Sequence, residues 1–189
     1  MRTRITKFKK VAEQKLPSTP DNYKIATTFF EILKFIHKNN WEGACHATSA
    51  IMYILLREQG IDARLYIGEC QQDSFVFDHS WVEIRGEVVD AAISMTWVQG
   101  MSFPPVLKNI DLDTGEKTKI TYGVRSGQGY DQFASTIRDL PFYMYMDIFP
   151  NHPKGLWGVA MDMGKKLGVK TNLEKMKGKY GLTKWEEHV

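Results

Sequence analysis

The sequence has few cysteines, no long apolar run and almost no surplus of charge. Only two cysteines occur among its 189 residues, too few for a disulfide framework. Reduced thiols are typical of cytosolic proteins, so we expect a cytoplasmic location. No apolar run approaches the roughly 18 residues of a membrane helix, and residues 1–15 carry no secretory signal. These absences favour a soluble protein with no membrane partner.

The charge balance excludes a strongly basic or acidic class of protein. The net charge is +3, from 25 basic and 22 acidic residues, and the surplus is divided between the N-terminus and residues 165–184. So small and divided a surplus argues against nucleic acid as the principal ligand. The composition, 43% hydrophobic and 25% charged, is that of a globular protein. We expect a basic lead-in at residues 1–20 and a single domain over residues 21–189.

The hydrophobic pattern predicts two helices followed by a small sheet. Helical spacing of apolar residues covers residues 23–37, and residues 44–59 are apolar on almost every face, as in a buried helix. Alternating residues then predict three antiparallel strands, which end near residues 67, 84 and 93. Beyond these strands the pattern weakens, and helices are predicted near residues 130–140, 154–167 and 172–180.

A thiol stands at the start of the second helix. Cys45 follows a loop that contains Gly43. A helix N-terminus has unpaired N–H groups and a partial positive charge, which stabilise a thiolate and can bind an oxyanion. We therefore expect Cys45 to be a nucleophile with a lowered pKa. Asn39, Asn40 and the indole of Trp41 lie just upstream and are candidates for a second oxyanion donor.

An imidazole and a carboxylate follow in positions that suit a catalytic triad. His79 opens the second strand and would act as the base, while Asp90 on the third strand would orient its ring. A two-residue turn at Gly86-Glu87 would place Asp90 opposite Glu83, several residues from His79 along the same face. Under that register, contact between His79 and Asp90 requires a bulge or a longer turn.

Each of these residues also has a simpler interpretation. Cys45 could be an inert core thiol, and Cys70 has no setting that suggests more than a structural role. Trp81 is expected to pack beside the site, with the substrate cleft as its alternative place. Cys45, His46 and His79 could form part of a zinc site, but a fourth ligand and paired spacing are missing, so no metal is predicted. We interpret His46 as a neighbour of the nucleophile.

Four segments together resemble the transglutaminase-like superfamily. They are Gly43-Ala44-Cys45 with its apolar helix, the segment from Gly60 to Gly68, His79-Ser80-Trp81-Val82-Glu83, and Val89-Asp90-Ala91. The resemblance implies an α+β, papain-like core in which a Cys-bearing helix packs on an antiparallel sheet. The core would span about residues 21–100, with a C-terminal elaboration over about residues 101–189.

The resemblance also implies roles for three residues. It assigns the nucleophile to Cys45, the base to His79 and the orienting acid to Asp90. Because the gap between His79 and Asp90 is short, the chain is most similar to the bacterial leader-peptide proteases of lasso-peptide maturation.

The expected function is thiol-dependent hydrolysis of a peptide or amide bond through an acyl-enzyme on Cys45. The partner would be a peptide or protein substrate, and the chemistry requires no cofactor. Two alternatives stay open at this point. One is acyl transfer to an amine, as in a transglutaminase or a related acyltransferase, and the other is a non-catalytic binding module that retains the fold.

Overall fold

The computed structural model describes residues 2–97, 101 and 103–188. In this part of the chain three helices come first, most of the strands follow, and four further helices come after them, so the expected α+β class is confirmed. The helices are α1 (Arg2–Lys15), α2 (Pro20–Lys38), α3 (Cys45–Glu58), α4 (Gln132–Asp139), α5 (Phe142–Asp147), α6 (Gly155–Lys166) and α7 (Leu173–Tyr180), with a short 3-10 helix at Ala92–Met95. Over the same residues, none of the helices has both the length and the apolar character needed to cross a membrane.

The strands form one curled sheet. They are β1 (Ala63–Gln72), β2 (Phe75–Ile84), β3 (Glu87–Asp90), β4 (Val106–Leu107), β5 (Ile110–Asp111), β6 (Thr121–Val124) and β7 (Glu186–Glu187). Their order is β5-β4-β3-β2-β1-β6, and β7 also lies beside β1. All pairs are antiparallel except β1 with β7. The three predicted strands are therefore the centre of the sheet, and the others extend it at both edges.

Helix α3 lies at the centre of the fold. It packs against β1 and β2 on one side and against α2 and α6 on the other. Ala50, Ile51, Ile54 and Leu55 are fully buried along it, which explains why the helix is apolar on almost every face. The basic lead-in is itself largely helical, because α1 places Phe8 and Ala12 in the same core.

The turn between β2 and β3 differs from the predicted one. Ile84 pairs with Glu87 and Val82 with Val89, so the two turn residues are Arg85 and Gly86. Their φ angles are 55° and 77°, as a type I′ hairpin turn requires. The predicted turn at Gly86-Glu87 is thus wrong by one residue.

That difference of one residue in the turn changes the register by two. Continued by one more pair, the observed register puts Asp90 opposite Trp81 rather than opposite Glu83. Trp81 and His79 are two residues apart on β2 and share one face. Asp90 is therefore a diagonal neighbour of His79, and no bulge is needed to bring them together.

We predict that Gly86→Ala lowers the free energy of unfolding by about 1 kcal/mol, because alanine is strained at the positive φ that this turn requires. Gly178→Ala is the matched control. Gly178 lies inside α7 with open space around its Cα, so alanine should raise the stability by about 0.5 kcal/mol. Urea denaturation of both variants measures the difference. Equal effects of the two substitutions would contradict the assigned turn.

Candidate active site

The loop that precedes Cys45 contains a turn that requires glycine. Gly43 has a φ of 67°, and a Cβ built on it would lie 2.7 Å from the Trp97 ring. Its N–H donates to the carbonyl of Met95 at 2.9 Å, which ties this loop to the end of the 3-10 helix. The loop thus fixes where α3 begins and where its first side chain points.

The first turn of α3 is free to bind an anion. Ala44 occupies the N-cap position and provides no side-chain hydrogen bond to the helix. The N–H groups of the first turn therefore lack the usual competitor for a ligand oxygen. Cys45 as a residue is partly exposed, whereas its thiol lies among neighbouring side chains that remove it from water.

His79 and Asp90 form a buried pair. The Nε2 atom of His79 lies 2.7 Å from Oδ2 of Asp90, and both side chains are almost fully shielded from solvent. With Nε2 engaged by the carboxylate, Nδ1 is left for a second partner. The thiol of Cys45 lies beside the His79 side chain, close enough for its charge and a hydrogen bond to raise the pKa of the imidazole. The three predicted residues therefore meet in the folded chain.

The carboxylate of Asp90 is held by four donors. Its Oδ1 accepts hydrogen bonds from the backbone N–H groups of Ala92 and Ile93 at 3.0 and 3.1 Å. Its Oδ2 accepts from Tyr122 Oη at 3.0 Å in addition to His79. A buried carboxylate needs such partners to offset the loss of hydration. The 3-10 helix and β6 thus fix the group that orients the imidazole.

The electrostatics of the site favour a thiolate and an imidazolium. Burial opposes ionisation of Cys45, but the charges and hydrogen bonds of His46 and His79 outweigh it and hold the pKa of the thiol well below its usual range. For His79, burial opposes the cation, yet Asp90 and Cys45 raise its pKa to about 10. These shifts favour a thiolate on Cys45 and a proton on His79 near neutral pH, which is the ionisation state that a thiol nucleophile requires.

A second imidazole lies against the same sulfur. His46 is buried next to Cys45 on α3, and its Nδ1 lies 2.7 Å from Oγ of Ser80. Two adjacent residues of the helix thus meet two adjacent residues of strand β2, Cys45 with His79 and His46 with Ser80. Sequence reasoning treated His46 only as a neighbour of the nucleophile.

Comparison with protein families agrees with this architecture. The family model described as the transglutaminase-like superfamily matches residues 2–99, just over half of the chain. The chain belongs to the transglutaminase-like superfamily. Members of this superfamily commonly carry out cysteine-dependent hydrolysis or acyl transfer. No curated protein and no solved structure gives a significant match.

The superfamily match ends near residue 99, so it leaves out Tyr122, which contributes to the site from β6. Its hydroxyl is buried, and burial together with the charge of Asp90 raises the pKa of Tyr122 well above its usual range. Tyr122 therefore remains a hydrogen-bond donor to Asp90 at all pH values of interest. Its sequence position gave no signal of this role, because no helical or strand pattern links residue 122 to residue 90.

The three upstream candidates for an oxyanion donor lie at the end of α2. The amide of Asn39 donates to the carbonyl of Phe35 at 2.8 Å and so is engaged within its own helix. The Trp41 ring packs between Phe35 and Phe149, at centroid distances of 5.8 and 5.2 Å. All three line a groove of about 840 Å³ whose other wall includes residues of α6, and neither Cys45 nor His79 borders that groove.

Trp81 is a packing residue and does not border a substrate cleft. It is fully buried and stacks on Tyr66 at a centroid distance of 5.7 Å. Its indole N–H donates to Glu83 Oε1 at 2.9 Å, so its polar atom is also satisfied. The suggestion that Trp81 contacts substrate is thus corrected, because no part of the side chain reaches solvent.

Two exposed aromatic rings flank the nucleophile instead. Trp97, which rests on Gly43, is 68% exposed, and Phe133 of α4 is 54% exposed. Their centroids are 6.3 Å apart, and Phe133 lies 5.7 Å from the ring of His46. Exposed apolar side chains clustered beside a reactive group are typical of a binding surface. In the part of the chain that the structure describes, no group of three or more His, Cys, Asp or Glu side chains is arranged to hold a metal ion.

We predict that Tyr122→Phe lowers the rate of any reaction at Cys45 by less than tenfold and the free energy of unfolding by about 1 kcal/mol, because Asp90 loses one donor of four. Tyr66→Phe is the control. It removes a hydroxyl from the same apolar cluster without touching Asp90. Cys45 alkylation rates and urea denaturation measure both effects. A Tyr122→Phe protein that matches Tyr66→Phe in both would contradict the assigned contact.

Proposed function

We propose that the chain is a thiol-dependent hydrolase of peptide or amide bonds that acts through an acyl-enzyme on Cys45. His79 would carry the proton, and Asp90 would orient the imidazole and stabilise its charge. The observation that supports this most strongly is the contact of Cys45 with an imidazole whose far nitrogen is bonded to a buried carboxylate. Family membership agrees with either hydrolysis or acyl transfer.

The reaction follows from the positions of these groups. The thiolate of Cys45 attacks the carbonyl carbon, a carbon–sulfur bond forms, and the π electrons move to the oxygen. The backbone N–H at the start of α3 donates to that oxyanion. The carbon–nitrogen bond then breaks, and His79 transfers its proton to the leaving amine. In the second half, His79 accepts a proton from water, whose oxygen attacks the thioester and releases the acid.

We favour hydrolysis over transfer because water needs no dedicated acceptor site, whereas an amine does. The rings of Trp97 and Phe133 beside Cys45 are solvated, so water is present at the rim of the site. Transfer to an amine is the second candidate, because any amine that reached the thioester would react by the same path.

We further propose that the substrate is a precursor peptide, as in the leader-peptide proteases of lasso-peptide maturation. This rests on the close spacing of His79 and Asp90, which a two-residue hairpin turn brings together. Selectivity would come from the C-terminal elements, since α4 places Phe133 at the edge of the site. Two free cysteines, one partly exposed and one buried, suit a cytoplasmic location.

We predict that incubation with a panel of unstructured peptides, followed by acid quenching, gives cleavage products and an acyl adduct on Cys45. The adduct is located by mass spectrometry, because a thioester survives the quench. Cys45→Ala should abolish both cleavage and adduct. Cys70→Ala is the matched control and should retain activity, since burial raises the pKa of Cys70 and keeps it unreactive.

Two other results would change the assignment. Products that carry an added primary amine instead of a free acid, at amine concentrations far below that of water, would assign the chain to acyl transfer. Peptide binding without any adduct, in a protein whose Cys45 alkylates no faster than a free thiol, would assign it to the binding modules.

A further inference from the structure

His46 is held in one orientation by contacts that a residue without a role at the site would not need. It is only 5% exposed, and its Nδ1 lies 2.7 Å from Oγ of Ser80. Ser80 is itself tied to α3, because the hydroxyl of Ser49 donates to its carbonyl at 2.9 Å. Hydrogen bonds thus link α3 to β2 at this point, and the imidazole of His46 takes part in that link.

Two aromatic rings restrict the remaining freedom of His46. The Phe133 centroid lies 5.7 Å from that of the imidazole, and Trp185 lies 6.0 Å away at a near-perpendicular angle. Because Nδ1 is engaged by Ser80, Nε2 is the ring nitrogen left for a second partner. The Cys45 thiol also lies beside the His46 side chain, close enough for a hydrogen bond with it to lower the pKa of the thiol.

The charge of the sulfur decides where the proton of the ring lies. A thiolate can only accept hydrogen bonds, so the nitrogen that faces it must carry hydrogen. The Ser80 hydroxyl can donate to Nδ1 or accept from it, and so permits this arrangement in either charge state of the ring. The titratable groups around His46 are Cys45, His79 and Asp78, and the carboxylate of Asp78 accepts from the backbone N–H of Asp131 at 2.7 Å.

We propose that His46 is a catalytic residue that donates a hydrogen bond from Nε2 to the oxyanion and so completes the oxyanion hole. This rests on the proposed function. The backbone N–H at the start of α3 is the other donor. When the carbon–sulfur bond forms, the sulfur loses its negative charge and the carbonyl oxygen gains one, so the donor can turn from sulfur to oxygen. His46 keeps its proton throughout, and His79 alone transfers one to the leaving amine.

The residues expected to provide this donor lie elsewhere. Asn39 is bonded within α2, and Asn40 and Trp41 line a separate groove. His46 is one residue from the nucleophile and is held by an element, β2, that also carries the base. A donor held in this way only has to redirect its N–H from the sulfur to the nearby oxygen when the oxyanion forms, and a donor already in place is the condition for a large effect on rate.

The test separates oxyanion stabilisation from activation of the thiol. The probes are the fastest-cleaved peptide of the panel, an acetylated tripeptide aldehyde, which forms a tetrahedral adduct with the thiol, and iodoacetamide, which reacts without forming an oxyanion. For His46→Ala we expect kcat to fall by about 10²-fold with little change in KM. The aldehyde should bind more weakly by a similar factor.

Alkylation provides the control within the same protein. Measured at a pH where the thiol is fully ionised, the iodoacetamide rate of His46→Ala should stay within about threefold of the unaltered protein. His46→Gln keeps an N–H donor and should recover most of kcat. Ser80→Ala should lower kcat by a smaller factor, because it frees the ring without removing it.

The outcomes distinguish this inference from the proposed function. If His79→Ala abolishes cleavage while His46→Ala retains kcat and aldehyde binding within about twofold, the role of His46 is wrong and the proposed function stands. Equal losses in alkylation and aldehyde binding would show that His46 only activates the thiol, which also overturns the inference. A protein that neither cleaves peptides nor binds the aldehyde would overturn both.

Discussion

The buried contact between His79 and Asp90 is the interaction on which the site depends. A carboxylate removed from water is costly, and Asp90 is retained because four donors converge on it from β2, the 3-10 helix and β6. With the Asp90 carboxylate in place, the His79 imidazole has one orientation and a strong preference for its charged form. The thiolate form of Cys45 follows from that preference, since its counter-charge already lies on the imidazole.

The fold brings Cys45 and His79 together by packing one helix against one strand. Helix α3 begins at Cys45 because Gly43 permits a tight turn beneath Trp97, and β2 runs past that helix end. Successive residues of the helix meet successive residues of the strand, so the spacing of the chemistry is set by backbone geometry and not by flexible loops. Burial of α3 on both sides keeps the two elements from sliding, because any shift would open cavities in a closely packed core.

Much of this arrangement could be predicted from the sequence, and the misses have physical causes. Residues 44–93 carry strong periodic signals, so α3 and the central strands were predicted, and Cys45, His79 and Asp90 on them were expected to lie close together. The hairpin turn was placed one residue late, because both Arg85-Gly86 and Gly86-Glu87 contain the glycine that such turns favour. Tyr122 was missed because the four-residue strand β6 is too short to show a clear period, and only the folded sheet brings β6 to Asp90. The buried setting of His46 was not predicted, because its bond to Ser80 lies across the helix–strand contact.

The most direct test of the account is a titration of the Cys45 thiolate by its ultraviolet absorbance, with the spectrum of Cys45→Ala subtracted at each pH. The account predicts a thiolate signal at neutral pH that disappears only well below the usual pKa of a thiol, and a titration that moves to higher pH in His79→Ala. A signal that appears only near the ordinary thiol pKa of about 8.5, unchanged by His79→Ala, would contradict it.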